Sequence, residues 1–289
     1  MKTIATHDGI FHTDDVFAVA ILKLIYPEIK IIRSRDSKEF CKADFKVDIG
    51  KIYHPDSGKF DHHQKEFCEI RKNKIPYASA GLIWKHFGEK LTNSKKAFDY
   101  IDEKLMQPID AIDCGVSITQ KEIIPDYCIR QVILSFKPNW QEINPEYDKA
   151  FEKAVKFATN LLFREIRSAN SIEKAEKIIK EIISKSDKDY LILGKNIPFH
   201  TYEIENTNLK YVIEENLGGD YIVWAVKIST NSFRSRKPFP KKWAGLDGKD
   251  LVKVTGVKDA MFCHKDLFIA GAKSKEGAIK LVEMALKEK

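Results

Sequence analysis

Residues 2–22, KTIATHDGIFHTDDVFAVAIL, carry the reading that decides the fold. The opening KTIATH is a short apolar run suited to a buried strand. An acidic turn with Asp14 and Asp15 follows, and Val16 to Leu22 then run apolar until the chain approaches Pro27, as a buried helix would. The order is strand, loop, helix. Outward from it, Ile29–Ile32 and Phe45–Ile49 read as further strands, and Ala78–Phe87 and Lys95–Met106 as helices. Such alternation predicts an α/β fold, a mostly parallel sheet covered by helices. In such sheets ligands sit at the carboxyl ends of the strands, where His7 and Asp48 would fall.

The rest of the 289 residues bound the problem. Hydrophobic residues make up 43% and charged residues 31%, with 49 Lys+Arg against 42 Asp+Glu. This is the composition of a soluble globular protein long enough for two domains. No run of 18 apolar residues predicts a membrane span, and the first residues resemble no signal or transit peptide. The five cysteines (Cys41, Cys68, Cys114, Cys128, Cys263) are scattered and never form C-x-x-C. That argues against a disulfide framework or structural zinc module and predicts the cytoplasm or another reducing compartment. The net charge of +7 is mild, and a homo-oligomer is left open.

From 148 to 185 there is neither Pro nor Gly, and apolar residues recur at helical spacing. One helix of that length would run about 57 Å, so a break is expected at Ser168-Ala169-Asn170-Ser171, which are good capping residues. The expected domains are therefore 1–147, connecting helices at 148–185, and a smaller α+β domain at 186–289. The latter's strands are Tyr190–Leu193, Tyr211–Glu214, Tyr221–Ile228 and Phe268–Ala272, closed by a helix from Lys275 to Lys287.

Four groups of acids and histidines carry the chemistry: His7 with His12, Asp14 and Asp15; Asp48; Asp61-His62-His63; and Asp110 with Asp113. Three imidazoles (His7, His12, His62) and three carboxylates (Asp14, Asp48, Asp113) suit two neighbouring divalent ions. With no cysteine among them, the set favours Mn²⁺, then Mg²⁺, Co²⁺ or Fe²⁺, over structural zinc. Asp48 would bridge the ions, and His63 would contact a phosphate or protonate a leaving oxygen.

The order His7, Asp14, Asp48, Asp61-His62-His63, Asp113 resembles the DHH phosphoesterase superfamily, which includes exonucleases, oligoribonucleases and family II pyrophosphatases. THDGIFHTDD (6–15), RSRD (33–36), DHHQKEF (61–67), SAGLIWKHFG (79–88), IDAIDCG (109–115) and SRKPFPKKWAGL (235–246) look more closely like its Myg-type branch, named for melanocyte proliferating gene. That family is described as metal-dependent hydrolases, with RNA exonuclease activity in eukaryotic members. The resemblance implies His7, His12, Asp14, Asp48, His62 and Asp113 as metal ligands, with Asp61 and Asp110 orienting them. It also departs in two places: His12 stands where the superfamily has Asp, and Cys114 where the family has Asn.

In the second domain, guanidinium forks suit phosphate, so Arg234 and Arg236 are candidate substrate contacts. Trp243 or Phe239 is available for base stacking, or for the core. His264 and Gly271 resemble the family's closing His and Gly segment. The expectation is a two-metal phosphodiesterase acting on RNA or short oligonucleotides. The alternatives are a small-molecule phosphatase or pyrophosphatase on the same centre, and a metal- or RNA-binding protein without turnover. Protein hydrolysis finds no H-E-x-x-H or nucleophile motif here.

Overall fold

The computed structural model describes residues 1–117, 127–195, 197–199, 204, 207–229 and 232–288. The fold is mixed α/β, and the chain divides into two compact units, 1–171 and 172–289. In the first, strands β1 (Thr3–Thr6), β2 (Lys30–Arg33), β3 (Phe45–Val47), β4 (Tyr53–His54) and β5 (Lys59–Phe60) form one sheet in the order β2-β1-β3-β5-β4. β1 runs parallel to β2 and β3, and β3 parallel to β5; β4 is antiparallel to β5. Helix α1 (Thr13–Ile25) is buried without a break from Thr13 to Leu22. A helix apolar on all sides belongs inside a core, and α1 packs against α3 (Ser79–Phe87), the sheet and two further helices.

The short helix α2 (Ser37–Phe40) follows β2. Helix α4 (Lys95–Ile101) passes through a π-helical turn at Asp102–Met106 into α5 (Gln107–Asp113), so the helix expected to stop at Met106 continues to Asp113. Helix α6 (Ile129–Leu134) precedes α7 (Tyr147–Ser184), whose 38 residues are unbroken. The expected break at 168–171 is absent because its polar side chains find other partners. Asn170 accepts from the backbone N–H of Asn93 and donates to the Leu91 carbonyl, and the Ser171 hydroxyl donates back to the Ser168 carbonyl. Ala169 and Ile172 are buried between them.

The second unit has a five-stranded sheet of β6 (Tyr190–Leu193), β7 (Tyr211–Glu215), β8 (Tyr221–Ala225), β9 (Ala260–Cys263) and β10 (Ile269–Ala272), in the order β6-β7-β8-β10-β9. Only the β6–β7 pair is parallel. Helices α8 (Gly248–Thr255) and α9 (Lys275–Lys287) pack on it. Leu281 and Val282 of α9 close a core with Tyr211, Val223, Phe239 and Trp243. Two of these elements, α8 and β9, have no counterpart in the sequence reading, and β8 stops at Ala225, short of the expected Ile228.

Candidate metal centre

Because β1, β3 and β5 are parallel neighbours, their carboxyl ends lie side by side. Each end delivers one functional residue group: His7 follows β1, Asp48 follows β3, and Asp61-His62-His63 follow β5. Asp48 has φ of 54°, in the left-handed region that only Gly, Asn and Asp enter readily. A residue held there by its surroundings marks a place where the backbone serves the side chain's direction.

The distances are short throughout. His7 Nε2 is 3.4 Å from Asp48 Oδ2, and His62 Nε2 is 3.5 Å from Asp48 Oδ1 and 3.3 Å from Asp113 Oδ2. Asp14 Oδ2 is 3.9 Å from His62 Nε2. Three overlapping ligand groups result: His7, His12 and Asp48; Asp48, His62 and His63; Asp14, His62 and Asp113. All six ligands expected from the sequence therefore converge at one place. His7, His12, Asp48 and Asp113 border a cleft of about 830 Å³, which His63 and Asp61 also line.

His7 Nδ1 lies 3.1 Å from the Asp8 carbonyl, which only accepts, so in the neutral ring Nδ1 carries the proton and the Nε2 lone pair faces the carboxylates. His62 Nδ1 meets Cys114 Sγ at 3.9 Å, again leaving Nε2 toward the acids. Among the described residues, three buried acid and histidine atoms of the cluster lack a hydrogen-bond partner: Asp15 Oδ2, Asp48 Oδ1 and His62 Nε2. Buried polar atoms are almost always satisfied, so a site with three orphans and an all-N/O donor set fits divalent cations.

The electrostatics say the same. Burial, then Asp113 and Asp48, push the Asp14 carboxyl well above the usual range. Burial takes Asp15 to about 7, with Asp48 adding and His7 opposing. Burial would raise Asp48 too, but contacts with His62, His63 and His7 hold it well below the ordinary value. His62 goes up: burial opposes this, and Asp113 and Asp48 outweigh burial. His63 rises to about 9 through Asp48 and Asp61. A packed set of acids whose charges oppose one another calls for positive charge among them.

Several of these residues also hold the fold. Asp14 accepts from the backbone N–H groups of Ser79 and Ala80 at 3.0 and 2.6 Å, capping α3 where Ala78 offers no side-chain oxygen. Asp110, the other expected orienting residue, accepts from Gly81 N–H and from Arg71 at 3.0 and 2.7 Å. It fixes α5 against α3, one turn before Asp113. A Cβ on Gly81 would lie 1.8 Å from Asp110 Oδ2, so glycine is required there. Asp61 accepts from the His63 backbone N–H and lies 2.9 Å from its Nδ1, while its other oxygen takes the Lys51 N–H at 2.6 Å.

Asp15 was not among the expected ligands. Its Oδ1 accepts from the His12 N–H, and its orphaned Oδ2 lies 3.2 Å from His7 Nε2. The doubled acid Asp14-Asp15 after His12 was the available signal, and only the start of α1 turns both inward.

A model of an uncharacterised protein family (UPF0160), titled MYG1_exonuc, matches residues 3–286. The chain belongs to the MYG1 family. A MYG1 protein of Dictyostelium discoideum is 32% identical over 311 residues, covering 96% of this chain and 94% of that one. A MYG1 protein of Saccharomyces cerevisiae is 31% identical over 326 residues, covering 99% and 96%. A protein of Mus musculus named MYG1 exonuclease is 28% identical over 324 residues, covering 99% and 85%. MYG1 proteins thus match this chain through both units.

In the second unit the candidate residues fall differently from expectation. The Arg236 guanidinium donates to the Ile204, Thr207 and Leu209 carbonyls, so it is tied to the fold rather than turned to a phosphate. Arg234 is exposed. Phe239 and Trp243 stack on each other inside the core, which removes them as base platforms. Gly271 leaves room for Phe262, whose ring a Cβ would meet at 2.8 Å; the missing side chain serves sheet packing, not backbone approach to a phosphate. His264 Nδ1 accepts from the Asp266 N–H at 3.1 Å, leaving Nε2 as the outward donor in the neutral ring.

Proposed function

We propose that this protein is a phosphodiesterase of RNA or short oligonucleotides, working as an exonuclease with two divalent cations, Mn²⁺ first among them, on a DHH-phosphoesterase-like first unit. One observation carries the reading: the two oxygens of Asp48 face different histidines, Oδ2 toward His7 and Oδ1 toward His62 and His63. A carboxylate so placed could serve both cations. His7 and His12, with Asp15 beside them, would hold one cation; Asp14, His62 and Asp113 would hold the other. When bound, such a pair lowers the pKa of a water and clamps the attacking and leaving oxygens of phosphoryl displacement.

The protein's own groups do the rest. Asp61 anchors His63 through Nδ1, which leaves Nε2 for the cleft that the ring lines, and the carboxylate of Asp61 favours the protonated ring. His63 Nε2 is the proton source for the leaving oxygen. Arg234 and His264 are the second unit's remaining candidates for a substrate phosphate. The exonuclease named in mouse supports the same substrate class.

The deciding assay incubates purified protein with Mn²⁺, in parallel, on pyrophosphate, a dinucleotide and a longer end-labelled RNA. Release of mononucleotides from the RNA, abolished by a chelator and restored by Mn²⁺, is the expected outcome. Turnover confined to pyrophosphate contradicts it.

A further inference from the structure

The cleft has a second wall that the acids and histidines do not explain. Arg130 on α6 and Lys137 just beyond it line the cleft together with Ile112, Ile129 and Leu134. Neither cation has a carboxylate within ion-pair distance among the described residues. Cations that line a cleft usually pair with its acids, and this cleft contains Asp48, Asp61 and Asp113. Lys137 is half-buried, with its ammonium 5.9 Å from the Phe11 ring centre. Burial pushes it below the ordinary lysine value, with the charges of Asp15 and Arg130 acting on it in opposite senses. A half-buried cation close to the acid cluster, without a partner of its own, is placed for an anion that comes from outside.

We propose that the wall formed by α6, the residues just after it and Ile112 of α5 seats one nucleotide unit of the substrate, with Arg130 and Lys137 at its phosphate and Ile112, Ile129 and Leu134 against its base. This rests on the acid and histidine cluster being the reaction centre, and it moves phosphate recognition into the first unit. Apolar side chains beside paired cations match a nucleoside phosphate, which has a flat hydrophobic face and a charged end. Inorganic phosphate would use only half of the wall. A cleft of about 830 Å³ lies within the size range of small-ligand sites.

The test is calorimetric titration of the full chain with 5′-AMP, adenosine and inorganic phosphate, in Mn²⁺ and again in EDTA. The variants are Lys137→Gln, Arg130→Gln and Leu134→Ala, none of which replaces a proposed metal ligand. Wild type is expected to bind 5′-AMP more tightly than either part alone. Each cation variant should weaken 5′-AMP by roughly ten- to hundredfold, the worth of a charged hydrogen bond, while Mn²⁺ uptake stays at the wild-type level. Leu134→Ala should weaken 5′-AMP and leave phosphate unchanged. Unaltered 5′-AMP affinity in both cation variants, no 5′-AMP binding by wild type, or phosphate binding as tight as 5′-AMP would each overturn the proposal. Failure of the metal reading has a separate sign: wild type takes up no Mn²⁺, and the comparison in EDTA still tells whether the wall holds 5′-AMP.

Discussion

The two units treat their charged side chains in opposite ways. In the first, Asp15, Asp48 and His62 have buried polar atoms without a hydrogen-bond partner among the described residues. In the second, Arg236 has its guanidinium matched to three backbone carbonyls, and the aromatic pair Phe239–Trp243 is sealed in the core. Both regions look chemically rich in sequence. What separates Arg236 from the acid and histidine cluster is whether the fold completes the bonding of a charged side chain: a satisfied buried group contributes to stability, and a cluster of unsatisfied acids and imidazoles fits a cation.

The largest effect should come from Asp48→Asn. Asn tolerates the left-handed backbone at this position but cannot bridge two cations with charge. Hydrolysis should fall by at least about a thousandfold, several kcal/mol of lost stabilisation, while the variant stays folded with a lower Tm, because contacts with His62, His63 and His7 favour the ionised Asp48. A variant that loses its fold along with its rate would place Asp48 on the structural side of the comparison.

Next in size is Gly81→Ala, which probes the satisfied part of the same unit. The added Cβ must displace the Asp110 carboxylate or the Arg71 guanidinium, 2.7 Å away. Overpacking of this kind costs about 1–3 kcal/mol, read from denaturant unfolding. An unchanged midpoint would show that α3 and α5 are not locked as described.

A smaller and more specific effect follows from Asp61→Asn. Asp48 and Asp61 together raise His63 to about 9, so removing one carboxylate lowers it toward the ordinary 6.5 or so. If His63 must be protonated to act, activity is lost as pH rises through its pKa, and the alkaline limb of the kcat profile should move to lower pH. A profile that does not move would remove His63 from proton transfer.

The arginines sharpen the contrast within three residues of chain. Arg236→Ala should cost about 1.5–3 kcal/mol of stability through lost charged hydrogen bonds. Arg234→Ala should leave Tm unchanged, raise KM for an oligonucleotide only a few-fold, and flatten the salt dependence of single-strand binding by roughly 0.7 in log–log slope. Reversed results would exchange their roles.

The strand–loop–helix at 2–22 and the strand at 45–47 were legible in sequence because short apolar runs bounded by acids and turns are local signals. From them His7 and Asp48 were placed at strand ends, whereas His62 joined them through its chemistry and the family resemblance, because the two-residue strand that delivers it, β5, is too short to read. The unbroken α7 was not legible. Its would-be cap Asn170 is engaged by Asn93, 77 residues away, and no local pattern announces such a partner. β9 was missed because AMFC is too short to show alternation, and Arg236 was misjudged because the carbonyls it binds belong to a different stretch of chain. Lys137 gave no signal beyond being one lysine among many; only the folded cleft sets it apart.

The account stands most directly on two cations flanking Asp48. Anomalous scattering from crystals soaked in Mn²⁺ should give two peaks about 3.5–4 Å apart. One should lie within about 2.0–2.3 Å of His7 and Asp48 atoms, and the other within that distance of His62 and Asp113 atoms. A single peak away from Asp48, or none at saturating Mn²⁺, would contradict it.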